Sequence, residues 1–227
     1  MDTFQLPLFP LRTVLFPDGV LPLRIFEVRY LDLIARCQRE GVPFGVVCLT
    51  QGGEVRQPRR PVAQAGAGGD DFAPQAFAPV GTMAHIVELD SPQPGLMMIR
   101  CSGGRRFRLT RHEQLKHGLW VGDARYIPDD LPLSVPPDLA HVPQALRRLV
   151  QSMQVSQSKM DALPIQPPYR WDDCGWVANR WCEILPVSPQ LKQQFLALES
   201  PLVRLELVAD LLERLKISLP PDSGSDG

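Results

Sequence analysis

The sequence predicts an α+β fold: a β-rich N-terminal part carrying one packed helix, followed by an α-helical bundle. Three observations point to it. Apolar runs of strand length, punctuated by proline and turn residues, fill residues 4–25 and 80–127. One stretch of helical period interrupts them at residues 27–40. Beyond Pro128 the composition shifts through Pro132, Pro136 and Pro137, and the later periodic segments are helical. The expected organisation is a β-rich subdomain over residues 1–130, a helical subdomain over 131–219 and a disordered tail over 220–227.

The opening carries Leu6-Pro7-Leu8-Phe9-Pro10-Leu11, Leu15-Phe16-Pro17 and Leu21-Pro22-Leu23-Arg24-Ile25-Phe26-Glu27. Proline donates no backbone hydrogen bond, so these runs are expected as edge strands or strand ends and hardly as central ladders. The helix at 27–40 places Leu31, Ile34, Ala35 and Gln38 on one face, with Val28 beside it and Gly41 as its stop. Residues 44–49 form a continuous apolar run, the pattern of a strand buried on both faces. Residues 51–79, rich in Gly and Ala, are expected to be a long flexible loop, or to hold a small hairpin around Phe72 and Phe77. Strands follow at 80–89, 96–101, 105–114 and 119–127, with Gly103-Gly104 and His117-Gly118 as separators. Such spacing predicts an antiparallel sheet or small barrel.

In the C-terminal part Leu139, Val142, Leu146, Leu149, Val150 and Met153 mark one helical face. Pro164, Pro167 and Pro168 interrupt, and a second helix starts near Trp171 or Asp172 and ends before Pro186. Ser188-Pro189 and Ser200-Pro201 each pair a serine N-cap with proline at the first helical position. The last helix buries Leu202, Leu205, Val208, Ala209, Leu212 and Leu215.

Composition bounds the function classes. With 44% hydrophobic and 22% charged residues the 227-residue chain has the balance of a globular protein, and its net charge of -1 gives no global pull toward nucleic acid or anionic membrane. Five cysteines, odd in number and set within apolar stretches, read as reduced core thiols. No C-x-x-C pair or Cys/His spacing marks a zinc site, so neither metal nor cofactor is expected. The absence of a signal-peptide pattern and of a long apolar run makes the cytoplasm the expected compartment.

Taken together, the proline-punctuated opening with Arg29-Tyr30, the middle segments Gly81-Thr82-Met83-Ala84-His85-Ile86 and Gly103-Gly104-Arg105-Arg106-Phe107-Arg108-Leu109, and the helical end Glu183-Ile184-Leu185-Pro186, Lys192 to Glu199 and Arg204-Leu205 resemble the N-terminal substrate-binding domain of the Lon protease family. The resemblance spans residues 4–216 and implies a PUA-like pseudo-barrel with one packed helix, then a helical bundle. The 51–79 loop looks longer than the family connection. A complete Lon adds an ATPase and a serine-lysine peptidase. No G-x-x-x-x-G-K-[ST] occurs here, and Ser158-Lys159 are adjacent, pointing in different directions. A free-standing, non-enzymatic binding domain is therefore expected.

Candidate site residues fall into two groups. Phe26, Arg29 and Tyr30 start the first helix beside the apolar opening strands, and Trp171 and Trp176 are aromatics able to anchor a polypeptide. Trp181 is expected in the core. Arg100, Arg106 and Arg108 form a candidate basic patch, Arg106 and Arg108 sharing a strand face that Arg105 does not. A solvated strand with surface ion pairs is the plainer account. Met83, Met97 and Met98 are either core or an adaptable binding surface. The leading expectation is a module that recognises exposed apolar segments of polypeptides, or an adaptor, with a polypeptide or protein as partner and no membrane or nucleic acid. An RNA-binding PUA-like protein and a regulatory partner of a full-length ATP-dependent protease are the alternatives.

Overall fold

A computed structural model of the chain describes residues 3–55, 74–156 and 165–217. The described residues fall into two compact units. One comprises the chain up to Asp129 together with Pro186–Ala197, and the other the segments from Asp130 to Leu185 and from Leu198 onward. The expected loop tip and hairpin around Phe72, Ser158-Lys159 and the 220–227 tail lie outside the described residues.

The first unit is built on β1 (Phe4–Leu11), β2 (Val20–Ile25), α1 (Val28–Glu40), β3 (Phe44–Gln51), β4 (Ala76–Gln93), β5 (Leu96–Gln114) and β6 (Trp120–Tyr126). The strand order is β2-β5-β4-β3-β1-β6, and a β5–β6 pairing closes the last five into a small barrel. All neighbours are antiparallel except β1 and β3, whose parallel pairing is connected through α1. Leu6, Leu8, Val47, Met83, Phe107, Leu109 and Ala124 fill the interior. Phe9, Leu11, Phe44 and Val46 point the other way, into a second cluster under Tyr30, Leu33, Ile34 and Cys37 of α1. β1 and β3 are thus buried on both faces.

Space inside the barrel is short. A Cβ on Gly45 would lie 2.6 Å from Leu6 Cδ2 and 2.8 Å from Phe107 Cζ, and one on Gly81 would lie 2.4 Å from the Val46 carbonyl oxygen and 2.6 Å from Phe107 Cζ. The two glycines are the seat of the Phe107 ring.

Several sequence expectations need correction. β1 is not an edge: it lies between β3 and β6. It tolerates proline because it changes partner, pairing with β6 over residues 4–8 and with β3 over residues 8–11. Pro7 and Pro10 each sit where one side only is laddered, so no donor is missed. β2 is the expected edge. Gly103 N donates to Gly19 O, and by alternation Leu21, Leu23 and Ile25 aim their bonds at β5 while Pro22 turns its missing donor outward.

Gly103-Gly104 does not separate two strands either. β5 is continuous and changes neighbour there, pairing with β2 through Ser102 and with β6 from Phe107. The glycines admit the Phe16–Gly19 turn: Asp18 N donates to Gly103 O at 2.7 Å, and a Cβ on Gly103 would fall 2.0 Å from Phe16 O. Bulges along β4 bend the same hairpin, and β4 begins at Ala76, inside the segment expected to be loop. On α1 the buried face is Tyr30, Leu33, Ile34 and Cys37, with Gln38 exposed, a stripe of larger side chains than the one expected. Gly41 ends the helix at φ 65°, as expected.

α4 (Pro189–Ala197) belongs to this unit rather than with the other helices of residues 131–219. Gln193 Nε2 donates to Val80 O at 2.9 Å, and Arg106 Nη1 to Leu196 O at 2.9 Å, while Phe195 and Leu196 are buried. The second unit holds a 3-10 turn (Pro137–Leu139), α2 (His141–Ser156), α3 (Cys174–Ile184) and α5 (Pro201–Arg214). Asp173 and Ser200 cap α3 and α5, accepting from Trp176 N and Val203 N. Trp181 is core, its Nε1 donating to Val142 O. Buried Arg204 ties the unit together through Asp130 at 2.6 Å, Asn179 at 3.1 Å and Leu198 O at 2.6 Å.

Gly45→Ala and Gly81→Ala should each lower stability by about 1–3 kcal/mol, through overpacking. Adding Phe107→Leu should recover part of the loss for Gly45→Ala, whose Cβ meets the side chains of Leu6 and Phe107, and little for Gly81→Ala, whose Cβ meets a backbone oxygen. Urea unfolding of the four variants checks this.

Candidate functional site

The β2–β5–β4 ribbon leaves the barrel with one apolar face. Its cross-strand rows read Leu21, Cys101, Ile86 and then Leu23, Ile99, Leu89, with Ile25 opposite Met97. Cys101, Ile99 and Ile25 are buried under α1, whereas Leu21, Leu23, Ile86, Leu89 and Met97, with Leu31 of α1, are only half-buried at the edge of that core. Phe26, 54% exposed, and Val28 follow in the chain at the β2–α1 junction and are open to solvent. The result is a band of apolar side chains open to solvent along one margin of the unit.

Of the residues singled out in the sequence, Phe26 alone of its trio reaches the surface. Tyr30 is 2% exposed and stacks on Phe9 with ring centroids 3.9 Å apart. Arg29, 7% exposed, donates to the Gly118 carbonyl at 2.7 Å, pairs with Glu27 at 3.0 Å and lies over the Tyr30 ring. It clamps the β5–β6 turn to the start of α1, a structural task. Trp171 is half-buried and Trp176 is 4% exposed, both in the second unit.

The basic patch does not assemble. Arg106 is 3% exposed beneath α4, bonded to the carbonyls of Leu196 and Pro128. Arg100 pairs with Glu88 on the ribbon. Arg108 is exposed on the barrel half of the strand, eight residues along from Arg100 on the ribbon half. Met83 is core, Met97 lies on the rim and Met98 is exposed on the opposite ribbon face.

Sequence reasoning singled out Phe26 and Met97 but missed Leu21, Leu23, Leu31, Ile86 and Leu89. The signal was the alternation of Leu21, Leu23 and Ile25, which fixes a shared face yet not how much of it α1 covers. The thiol within the rim's rows, Cys101, is buried. All five cysteines are free and buried; burial pushes the Cys101 thiol up to about 12, and raises Cys37, Cys48 and Cys174. Among the described residues no group of three or more His, Cys, Asp or Glu is placed to hold a metal ion, and no helix is long and apolar enough to cross a membrane. A polar cleft of about 130 Å³ beside His112 and Asp123 is smaller than the ~300 Å³ at which small-molecule sites begin.

The closed barrel with its ribbon, single packed helix and helical second unit is the fold of Lon N-terminal domains. The Lon N-terminal domain protein from Xanthomonas campestris is 28% identical, with a TM-score of 0.67 over 91% of this chain and 98% of that one. The N-terminal domain of the Mycobacterium avium complex Lon protease shares the fold at 13% identity, with a TM-score of 0.56 over 92% of this chain and 98% of that one. No curated protein matches the chain. The family model of the ATP-dependent protease La (LON) substrate-binding domain matches residues 5–214, and the chain belongs to that family.

Arg106→Ala should cost about 2–3 kcal/mol by removing charged hydrogen bonds to buried carbonyls, and Arg108→Ala no more than about 1 kcal/mol. Thermal or urea unfolding separates the two. In the native protein at pH 7.5 the thiols should be silent to Ellman's reagent, and all five should react in concentrated guanidinium.

Proposed function

We propose that this chain is a non-catalytic binding module that takes up exposed apolar segments of polypeptides on the rim formed by β2, β4, β5 and the start of α1. The observation that carries the reading is the half-buried set Leu21, Leu23, Leu31, Ile86, Leu89 and Met97, with exposed Phe26 following β2 in the chain. Removing such side chains from water drives association without demanding a particular sequence. Met97 adds an unbranched side chain that adapts to different partners. Membership of a substrate-binding domain family supports a polypeptide as the ligand.

The rim is also pre-formed. Its backbone is fixed by the β2–β5 and β4–β5 ladders and its floor by the α1 core, so little ordering entropy is spent on binding. RNA binding finds no support in a strand whose middle arginine is buried.

Calorimetric titration with a reduced, alkylated and permanently unfolded polypeptide should show binding well below millimolar. Phe26→Ala should weaken it about five- to thirty-fold, from about 1–2 kcal/mol of lost burial, while leaving Tm nearly unchanged. Unaltered binding in both Phe26→Ala and Leu23→Ser would remove the rim from consideration.

A further inference from the structure

The second unit carries an aromatic shelf that the rim reading does not use. Tyr169 and Trp171, both half-buried, stack with centroids 4.9 Å apart and planes at 25°. Buried Trp176 supports them edge-on, 5.1 Å from Trp171 and 6.2 Å from Tyr169. Two residues of α2 complete the shelf: Gln154 Nε2 donates to the Tyr169 hydroxyl at 3.1 Å, and the Arg147 guanidinium lies 5.4 Å from the Trp171 ring centroid.

The arginines lying over Trp171 and Trp176 differ. Arg180, beside Trp176, is neutralised by Glu183 at 2.7 Å. Arg147 is exposed, and among the described residues no carboxylate pairs with it. A guanidinium held over an indole keeps its N–H edge free for a carboxylate. Beside it, two stacked rings offer an apolar surface already in place.

We propose that this shelf binds acidic polypeptide segments in which an aromatic side chain neighbours Asp or Glu, the ring packing on Tyr169 and Trp171 and the carboxylate on Arg147. A single-stranded nucleic acid also stacks on aromatics, but it needs a track of cations. Next to Trp171 in the chain, exposed Asp172, already accepting from Ser134 Oγ and Val135 N, repels phosphate. The proposal rests on the reading of the chain as a polypeptide binder and gives it a second site with a sequence preference.

The test uses the full chain labelled with 5-fluorotryptophan, whose four tryptophan signals are assigned by single substitution. The probes are acetyl-Gly-Glu-Phe-Glu-Gly-amide, its Lys-Phe-Lys counterpart and an oligothymidylate. The acidic peptide should move the Trp171 signal saturably, binding at least about five-fold more tightly than the basic one and weakening with salt. Arg147→Gln should abolish that preference and Arg147→Lys should keep part of it. A Trp171 signal unmoved to millimolar peptide, equal response to both peptides, or stronger response to the oligothymidylate overturns the proposal. Phe26→Ala separates the two sites: it should weaken unfolded polypeptide and leave the Trp171 response intact. If unfolded polypeptide binds and Trp171 stays silent, the shelf alone fails; if neither probe binds, the polypeptide reading fails with it.

Discussion

The Phe107 ring is the constraint on which the first unit depends. Five strands close around an interior that holds seven side chains, and the ring fits only because Gly45 and Gly81 leave their inner faces bare. That ring sits on β5 at the residue where the strand begins to pair with β6. Packing and closure are therefore one event: the residue that fills the barrel also starts the ladder that seals it. Upstream of it β5 is released to carry β2, and the apolar ribbon exists because the barrel needs only the second half of that strand.

From this division follows the openness of the rim. A barrel strand buries its inner face by closure, but ribbon strands rely on what lies across them. Ile25, Ile99 and Cys101 are buried in one cluster with Tyr30, Leu33, Ile34 and Cys37 of α1, while Leu21, Leu23 and Leu89 pack at its edge and keep part of their surface in water. The start of α1 is tied to the β5–β6 turn by Arg29 on the Gly118 carbonyl. The candidate surface is the part of the core that the geometry of one helix leaves unfinished.

Local chemistry was legible in the sequence. Gly41, Ser188, Ser200 and the buried run at residues 44–49 act as their residue types predict, because a cap or a two-sided strand is decided by a few neighbours. The family was legible too, from the proline-punctuated opening and the segments around Gly81 and Gly103. What was not legible depended on residues far apart in sequence. Arg106 looks like one more surface arginine until a helix ninety residues later supplies its carbonyl. Gly103-Gly104 looks like a break until the turn at Phe16 is seen to need the space. The rim is of the same kind, since its exposure depends on how far α1 reaches.

The return of α4 to the first unit sets an order of events during synthesis. All six barrel and ribbon strands have emerged by Tyr126, yet Leu196 and Gln193 arrive only after α2 and α3 have been made. Until then the Arg106 guanidinium faces water where it will later be buried. The nascent barrel can close early, but it is finished late, and its final layer comes from chain that has already passed through the other unit.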